Sequence, residues 1–126
     1  PSTRGSETIL LVEDDDPVRN LAMAVLKKQG YQVINAASGE IALDLIQENS
    51  KPVDLLITDV VMPGMNGKEL YESLQQVWPD TRVLYMSGYP NEVISKRGIL
   101  DTHIDFLQKP FSIRMLKKRV RDVLDR

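Results

Sequence analysis

One stretch constrains this chain more than any other: Asp54-Leu55-Leu56-Ile57-Thr58-Asp59, followed at once by Val60-Val61-Met62-Pro63-Gly64-Met65-Asn66-Gly67. The continuous apolar run Leu55–Ile57 is the pattern of a strand buried on both faces, as in a parallel sheet. A Pro/Gly/Asn-rich loop then breaks the run, so Asp59 falls at or just past the carboxyl end of a central strand. In open α/β sheets that end is where ligands bind. A carboxylate placed there is a metal ligand, a nucleophile or a loop cap, and the rest of the chain has to decide which.

The remainder alternates in the same way. Ile9–Val12 is a first buried strand, closed by the acidic run Glu13-Asp14-Asp15-Asp16. Pro17 after Asp16 looks like an N-cap followed by proline at the first helical position. Val18, Leu21, Ala22, Val25 and Leu26 then recur at helical spacing up to Gly30. Val33-Ile34 is a second, weaker strand, and Ser38-Gly39 opens a helix with Ile41, Ala42, Leu45 and Ile46 on one face. Asn66-Gly67 opens a third helix carrying Leu70, Leu74 and Val77. Val83–Met86 is a fourth strand ending at Ser87-Gly88, and residues 91–98 suit a short helix capped by Gly98. Ile104–Leu107 is a fifth strand before Lys109-Pro110, and Ser112 caps a last helix carrying Ile113, Leu116, Val120, Val123 and Leu124. Five strands alternating with five helices, joined by right-handed crossovers, make an α/β fold with a doubly wound parallel sheet. The 126 residues suffice for one such domain and not two. Residues 1–7 are polar and aperiodic and read as a tail or linker, with the domain proper over 8–126.

Composition removes several chemistries. There is no cysteine, so disulfides and zinc–thiolate sites are out, and a cytoplasmic setting is expected. No apolar run approaches the ~20 residues of a membrane span, and no signal peptide is visible. The net charge of −2 points to neither nucleic-acid nor membrane contact. A chain starting at Pro1 without Met is expected of an excised domain or a processed chain.

What remains are the polar residues at the strand ends. The first strand ends at Glu13-Asp14, the third at Asp59, the fourth at Ser87, and Lys109 follows the fifth. If the strand order is 2-1-3-4-5, the first and third strands meet at the topological switch point and these groups converge. Carboxylates so close need a cation, and an oxygen-only donor set without His or Cys points to Mg²⁺. An ammonium and a hydroxyl beside such a metal suit a phosphoryl group.

These motifs, in this order and spacing, resemble the receiver domain of bacterial two-component response regulators of the chemotaxis-regulator kind. The resemblance is carried by Ile9–Asp14, by Asp59 with Met62-Pro63 and Asn66-Gly67, by Met86-Ser87-Gly88-Tyr89, and by Phe106-Leu107-Gln108-Lys109-Pro110-Phe111. It covers about residues 8–125. It implies a flavodoxin-like fold and a set of roles. Asp59 would be the phospho-acceptor, taking a phosphoryl group from a phosphohistidine on a histidine kinase or histidine phosphotransfer domain. Glu13, Asp14, Asp59 and the Val61 backbone carbonyl would hold Mg²⁺, and Lys109 and Ser87 would bind the phosphoryl oxygens. Lys109-Pro110 would be a cis peptide, Ser87 and Phe106 the switch pair, and Val61 and Tyr89 residues that tune phosphate lifetime. Two departures stand out: Glu13 replaces the commoner Asp, and Gly88 stands where Ala is frequent. Three successive Asp residues leave the register between Asp14 and Asp15 open. Glu13-Asp14 is preferred because it follows the apolar run and sets Arg19 where the family often has Arg.

The basic run Arg114, Lys117, Lys118, Arg119 and Arg121 reads as a solvated helix face, which in the family also serves partner binding and homodimerisation. DNA binding by it is not expected, because acidic residues balance it and no helix-turn-helix follows. His103 reads as a surface residue. The chain is not expected to be a stand-alone metabolic enzyme, but to catalyse its own aspartyl phosphorylation and dephosphorylation. It reads as a stand-alone receiver or one cut from a larger chain, and its opening resembles the C-terminal receivers of hybrid sensor histidine kinases. The alternative is a small Mg²⁺-dependent phosphatase of the haloacid-dehalogenase kind, which Asp14–Val18 superficially fits but which leaves Asp59–Gly67 unexplained. A degenerate receiver that binds constitutively is disfavoured, because every reactive residue is present.

Overall fold

The computed structural model describes residues 2–49, 51–88 and 104–126. Five strands form one parallel sheet: β1 (Thr8–Val12), β2 (Gln32–Ala36), β3 (Leu55–Asp59), β4 (Arg82–Ser87) and β5 (Phe106–Gln108). Their spatial order is β2-β1-β3-β4-β5, the doubly wound order expected. The described helices are α1 (Asp16–Lys28), α2 (Gly39–Gln47), α3 (Gly67–Val77) and α4 (Ile113–Leu124). The short helix expected over 91–98, with Tyr89, Gly98 and His103, lies outside the described residues. The fifth strand begins two residues later than its apolar pattern suggested.

The alternation of side chains along each strand explains how the sheet is covered on both faces. Ile9, Leu11, Leu55, Ile57, Leu84, Met86 and Leu107 share one face and pack under Ala22, Val25 and Leu26 of α1 and Leu116, Val120 and Val123 of α4. Leu10, Val12 and Leu56 point the other way and meet Ala42 and Ile46 of α2 and Leu70 and Leu74 of α3. β3 is buried at all five positions, which is why Leu55–Ile57 reads as an uninterrupted apolar run before Thr58 and Asp59. Each fully buried Leu or Ile contributes about 1.5–3 kcal/mol relative to exposure.

The helix starts follow capping chemistry. Ser38 and Ser112 accept the N–H of Ile41 and Met115 respectively, each at 3.1 Å. Asn66 and Glu69 form a reciprocal capping box. At α1 the cap is Asp15, whose side chain accepts the Val18 N–H at 3.1 Å, and not Asp16 as the proline suggested. Pro17 sits one position further into the first turn, where its missing N–H still costs nothing. Gly30 closes α1 with φ 107°, a conformation that suits glycine.

Two features of the sequence reading change in the folded chain. The polar segment before β1 carries specific contacts: Gly5 N–H donates to the Gln29 carbonyl at 3.1 Å, and Thr3 Oγ1 donates to Gln29 at 2.7 Å. The basic face of α4 is only partly solvated. Arg121 binds both oxygens of Glu7 and reaches Tyr31 Oη at 3.2 Å, while Arg119 donates twice to the Phe106 carbonyl. A guanidinium at the rim of a buried stripe can lay its stem on apolar surface and still reach backbone and carboxylate acceptors.

Candidate functional site

Strand register builds the site. β1 pairs with β3 so that Val12 lies beside Thr58, which sets Glu13 level with Asp59. β3 pairs with β4 so that Asp59 lies beside Met86, with Ser87 next. β4 pairs with β5 so that Ser87 lies beside Gln108, with Lys109 next. Neighbouring strands are about 4.8 Å apart, so four strand ends deliver their polar residues to one edge. The resulting pocket of about 300 Å³ is lined by Asp14, Asp59, Val61, Met86, Ser87, Gly88 and Lys109.

Glu13 is fully buried and Asp59 is 3% exposed. Lys109 Nζ lies between them, 2.7 Å from Glu13 Oε1 and 2.6 Å from Asp59 Oδ1. Glu13 Oε2 also accepts the Asp15 N–H at 3.2 Å, and the Glu13 carbonyl accepts from Arg19 at 2.8 Å. Lys109 donates its backbone N–H to the Ser87 carbonyl at 2.7 Å, and the Lys109-Pro110 bond is cis. Phe106 packs, partly buried, against Val60 and Tyr85.

Asp59 is electrostatically unlike an ordinary carboxylate. Burial, and then the neighbouring Glu13, push its pKa up to about 8, against the pull of Lys109. Burial also works to raise the Glu13 carboxyl, but Asp59 and Lys109 hold it below its ordinary range. Burial would lower the Lys109 ammonium, and the two carboxylates raise it instead. Two carboxylates and one ammonium leave the buried trio short of positive charge.

The donor set fits a hard cation. Both Asp59 carboxylate oxygens are buried without an aligned hydrogen-bond donor, the contact to Lys109 being an ion pair. Glu13, Asp14 and Asp59 each offer an oxygen, all within 4.8 Å of one another. Asp14 is exposed, so the cluster opens to solvent on its side. An oxygen-only, partly solvated donor set suits Mg²⁺ better than a thiophilic or imidazole-preferring metal. Asp15, the alternative to Asp14, is engaged as the α1 cap.

Some supporting residues were not legible in the sequence as site residues. Thr58 Oγ1 donates to the Asp59 carbonyl at 3.0 Å. A Cβ on Gly67 would stand 2.2 Å from that same carbonyl oxygen, so only glycine lets α3 start this close to the site. The Asn-Gly pair signals a helix start but not this approach. Glu40 reaches the loop after β3 from the first turn of α2, and nothing in its local pattern points there.

Comparisons with known proteins agree with this geometry. A model described as the response regulator receiver domain matches residues 9–121. The sensor kinase CckA of Brucella abortus (strain 2308) is 39% identical over 122 residues, which is 97% of this chain and 13% of that protein. The response regulator receiver protein CpdR of the same organism is 33% identical over 116 residues, covering 92% of this chain and 95% of CpdR. The crystal structure of the receiver domain from the hybrid histidine kinase CckA superposes with a TM-score of 0.77 at 39% identity, covering 93% of this chain and 98% of that one. This chain therefore spans only about an eighth of one curated relative and nearly all of another. The matches support the receiver reading and not the phosphatase one. Receiver domains work with histidine kinases or phosphotransfer proteins. Among the described residues no helix is long and apolar enough to cross a membrane. With the sheet order, the register-built acidic site and the match over residues 9–121 in agreement, this chain belongs to the response regulator receiver domain family of two-component signalling.

Proposed function

We propose that residues 8–126 accept a phosphoryl group on Asp59 and use it to switch a protein-binding surface. The observation that carries this is Asp59 itself. Both of its carboxylate oxygens are buried without an aligned donor, at the carboxyl end of the central strand, beside Lys109 and within a cluster of acidic oxygens. One Asp59 oxygen attacks the phosphorus of a phosphohistidine. The P–N bond breaks with its electron pair going to the imidazole, which takes up a solvent proton, and an acyl phosphate forms. Glu13, Asp14, Asp59 and the Val61 carbonyl would hold Mg²⁺, which when bound would supply positive charge that keeps Asp59 ionised and offsets charge on the phosphoryl oxygens.

Lys109 binds a phosphoryl oxygen, exchanging part of its ion pair with Asp59 for one with the new dianion. Ser87, at the end of β4, donates its hydroxyl to another. The added charge of about −1.5 to −2 draws Ser87 and, behind it, Phe106 toward the site and so biases the β4–β5 face. The donor is a histidine kinase or histidine phosphotransfer domain, and the output is binding, including homodimerisation through the α4 face. The chain does not act on nucleic acid or membrane and works in the cytoplasm. Its likeness to CckA supports an origin at the receiver of a hybrid kinase.

Intact mass after incubation with acetyl phosphate and Mg²⁺ tests this. One added phosphoryl group that requires Mg²⁺ and is absent from Asp59→Asn is the expected result. An adduct that persists in Asp59→Asn would move the acceptor elsewhere and overturn the assignment.

A further inference from the structure

The loop between Asp59 and α3 carries Val61, so its position sets the geometry of the site. Its inner parts are anchored: Val60 and Met62 are buried, and Gly67 N–H donates to the Val60 carbonyl at 2.9 Å. Its outer turn is held from another element. Glu40, in the first turn of α2, accepts the Met65 N–H through Oε2 at 3.0 Å. The same carboxylate sits over Gly64, whose φ is 77°, and a Cβ there would stand 2.8 Å from Glu40 Oε2. Glycine at 64 therefore serves both the turn and the approach of the carboxylate. The grip is reciprocal. Met65 reaches back over Gly39, where a Cβ would stand 3.1–3.3 Å from its side chain. The Met65 N–H, more than any other group, holds the Glu40 carboxyl below its ordinary range.

We propose that Glu40 is a positioning residue for the phospho-acceptor site: by clasping the Gly64-Met65 turn to α2 it fixes the Val61 backbone where a bound cation requires it. It touches neither cation nor phosphoryl group. This rests on the receiver reading of Asp59. Releasing the clasp lets the outer turn move while Asp59, Glu13, Asp14 and Lys109 stay on their strand ends. The consequence is weaker cation binding, with the chemistry unchanged once the cation is bound.

The test compares wild type, Glu40→Ala and Glu40→Gln. Glu40 is exposed, so its replacement leaves both cores intact. Mg²⁺ affinity is measured by calorimetry, and phosphorylation by acetyl phosphate is followed by intact mass across a Mg²⁺ series. Glu40→Ala is expected to raise the Mg²⁺ dissociation constant and the Mg²⁺ half-saturation for phosphorylation by about three- to tenfold, the factor one hydrogen bond is worth. The rate at saturating Mg²⁺ should stay within about twofold. Glu40→Gln keeps an acceptor oxygen and should recover most of the affinity. A merely structural role would move the unfolding midpoint and not the Mg²⁺ half-saturation, and that result overturns the proposal. So does unchanged Mg²⁺ affinity in Glu40→Ala while wild type is phosphorylated normally. If wild type neither binds Mg²⁺ nor takes up phosphate, the receiver reading of Asp59 itself fails and this inference falls with it.

Discussion

Replacing Lys109 by methionine separates the electrostatics of the site from its packing. Methionine keeps most of the apolar stem and removes the ammonium that stands 2.7 Å from Glu13 and 2.6 Å from Asp59. Removing one partner of a buried ion pair costs about 3–5 kcal/mol, because the other charge stays behind. The Lys109 side chain is 22% exposed, so solvent screens part of this, and about 2–3 kcal/mol is the expected loss. In urea, with a slope of about 1–3 kcal/mol per molar, that is a fall in midpoint of roughly 1–2 M at pH 7.5 with chelator present. The loss is expected to come from the charge left on Glu13. Without Lys109, Asp59 keeps its proton at pH 7.5, so Asp59→Asn should return little, whereas Glu13→Gln, which removes the stranded charge, should return about half of the loss. Mg²⁺ should return more, since a ligand at one hundred times its dissociation constant stabilises by about 2.7 kcal/mol and no longer competes with the ammonium. A loss below about 0.5 kcal/mol, or one that neither Glu13→Gln nor Mg²⁺ reduces, would show that these three groups are not coupled as described.

Other outcomes follow from the same geometry. Without divalent cation the native Asp59 keeps its proton up to about pH 8, while the unfolded chain releases it near 3.8, so its contribution to stability is full below about pH 3.8 and is lost as pH rises through about 8. The stability advantage of Asp59→Asn should therefore widen between pH 5 and 8, by at most about 1.4 kcal/mol per pH unit; a gap that does not change with pH contradicts the raised pKa. Gly67→Ala puts a methyl against the Asp59 carbonyl and should cost about 1–3 kcal/mol while also weakening Mg²⁺ binding; full stability and affinity in that variant would refute the close approach. Arg121→Met should release the segment before β1, lowering amide-exchange protection at Gly5, and Glu7→Gln should add little on top of it. Additive losses in the double variant would mean that Arg121 and Glu7 act separately.

Much of this protein was legible along the chain, for identifiable reasons. The central strands announce themselves because a strand covered by helices on both faces must be largely apolar, as β3 is up to Thr58-Asp59, where it reaches the site. Helix starts announce themselves because few side chains can accept the first free N–H groups, and Ser38, Asn66 and Ser112 are among those that can. The chemistry of the strand-end residues is likewise local: carboxylates, a hydroxyl and an ammonium, with no sulfur or imidazole among them. The cap at Asp15 was misplaced by one residue because Asp15 and Asp16 are chemically the same and only the backbone turn decides between them.

What tertiary structure alone decided depends on distance between residues far apart in sequence. Strand order and register, not composition, bring Lys109 within 2.7 Å of Glu13, 96 positions away, and so set the raised pKa of Asp59. Arg119 and Arg121 look like solvated charges until α4 lies beside Phe106, Glu7 and Tyr31. Glu40 looks like an ordinary first-turn acid until the loop after Asp59 folds back over α2. Local sequence carries propensity and chemical type, because both are properties of one residue and its near neighbours. Burial, ion-pair distance and pKa belong to the three-dimensional arrangement, because each depends on which groups the sheet order places side by side.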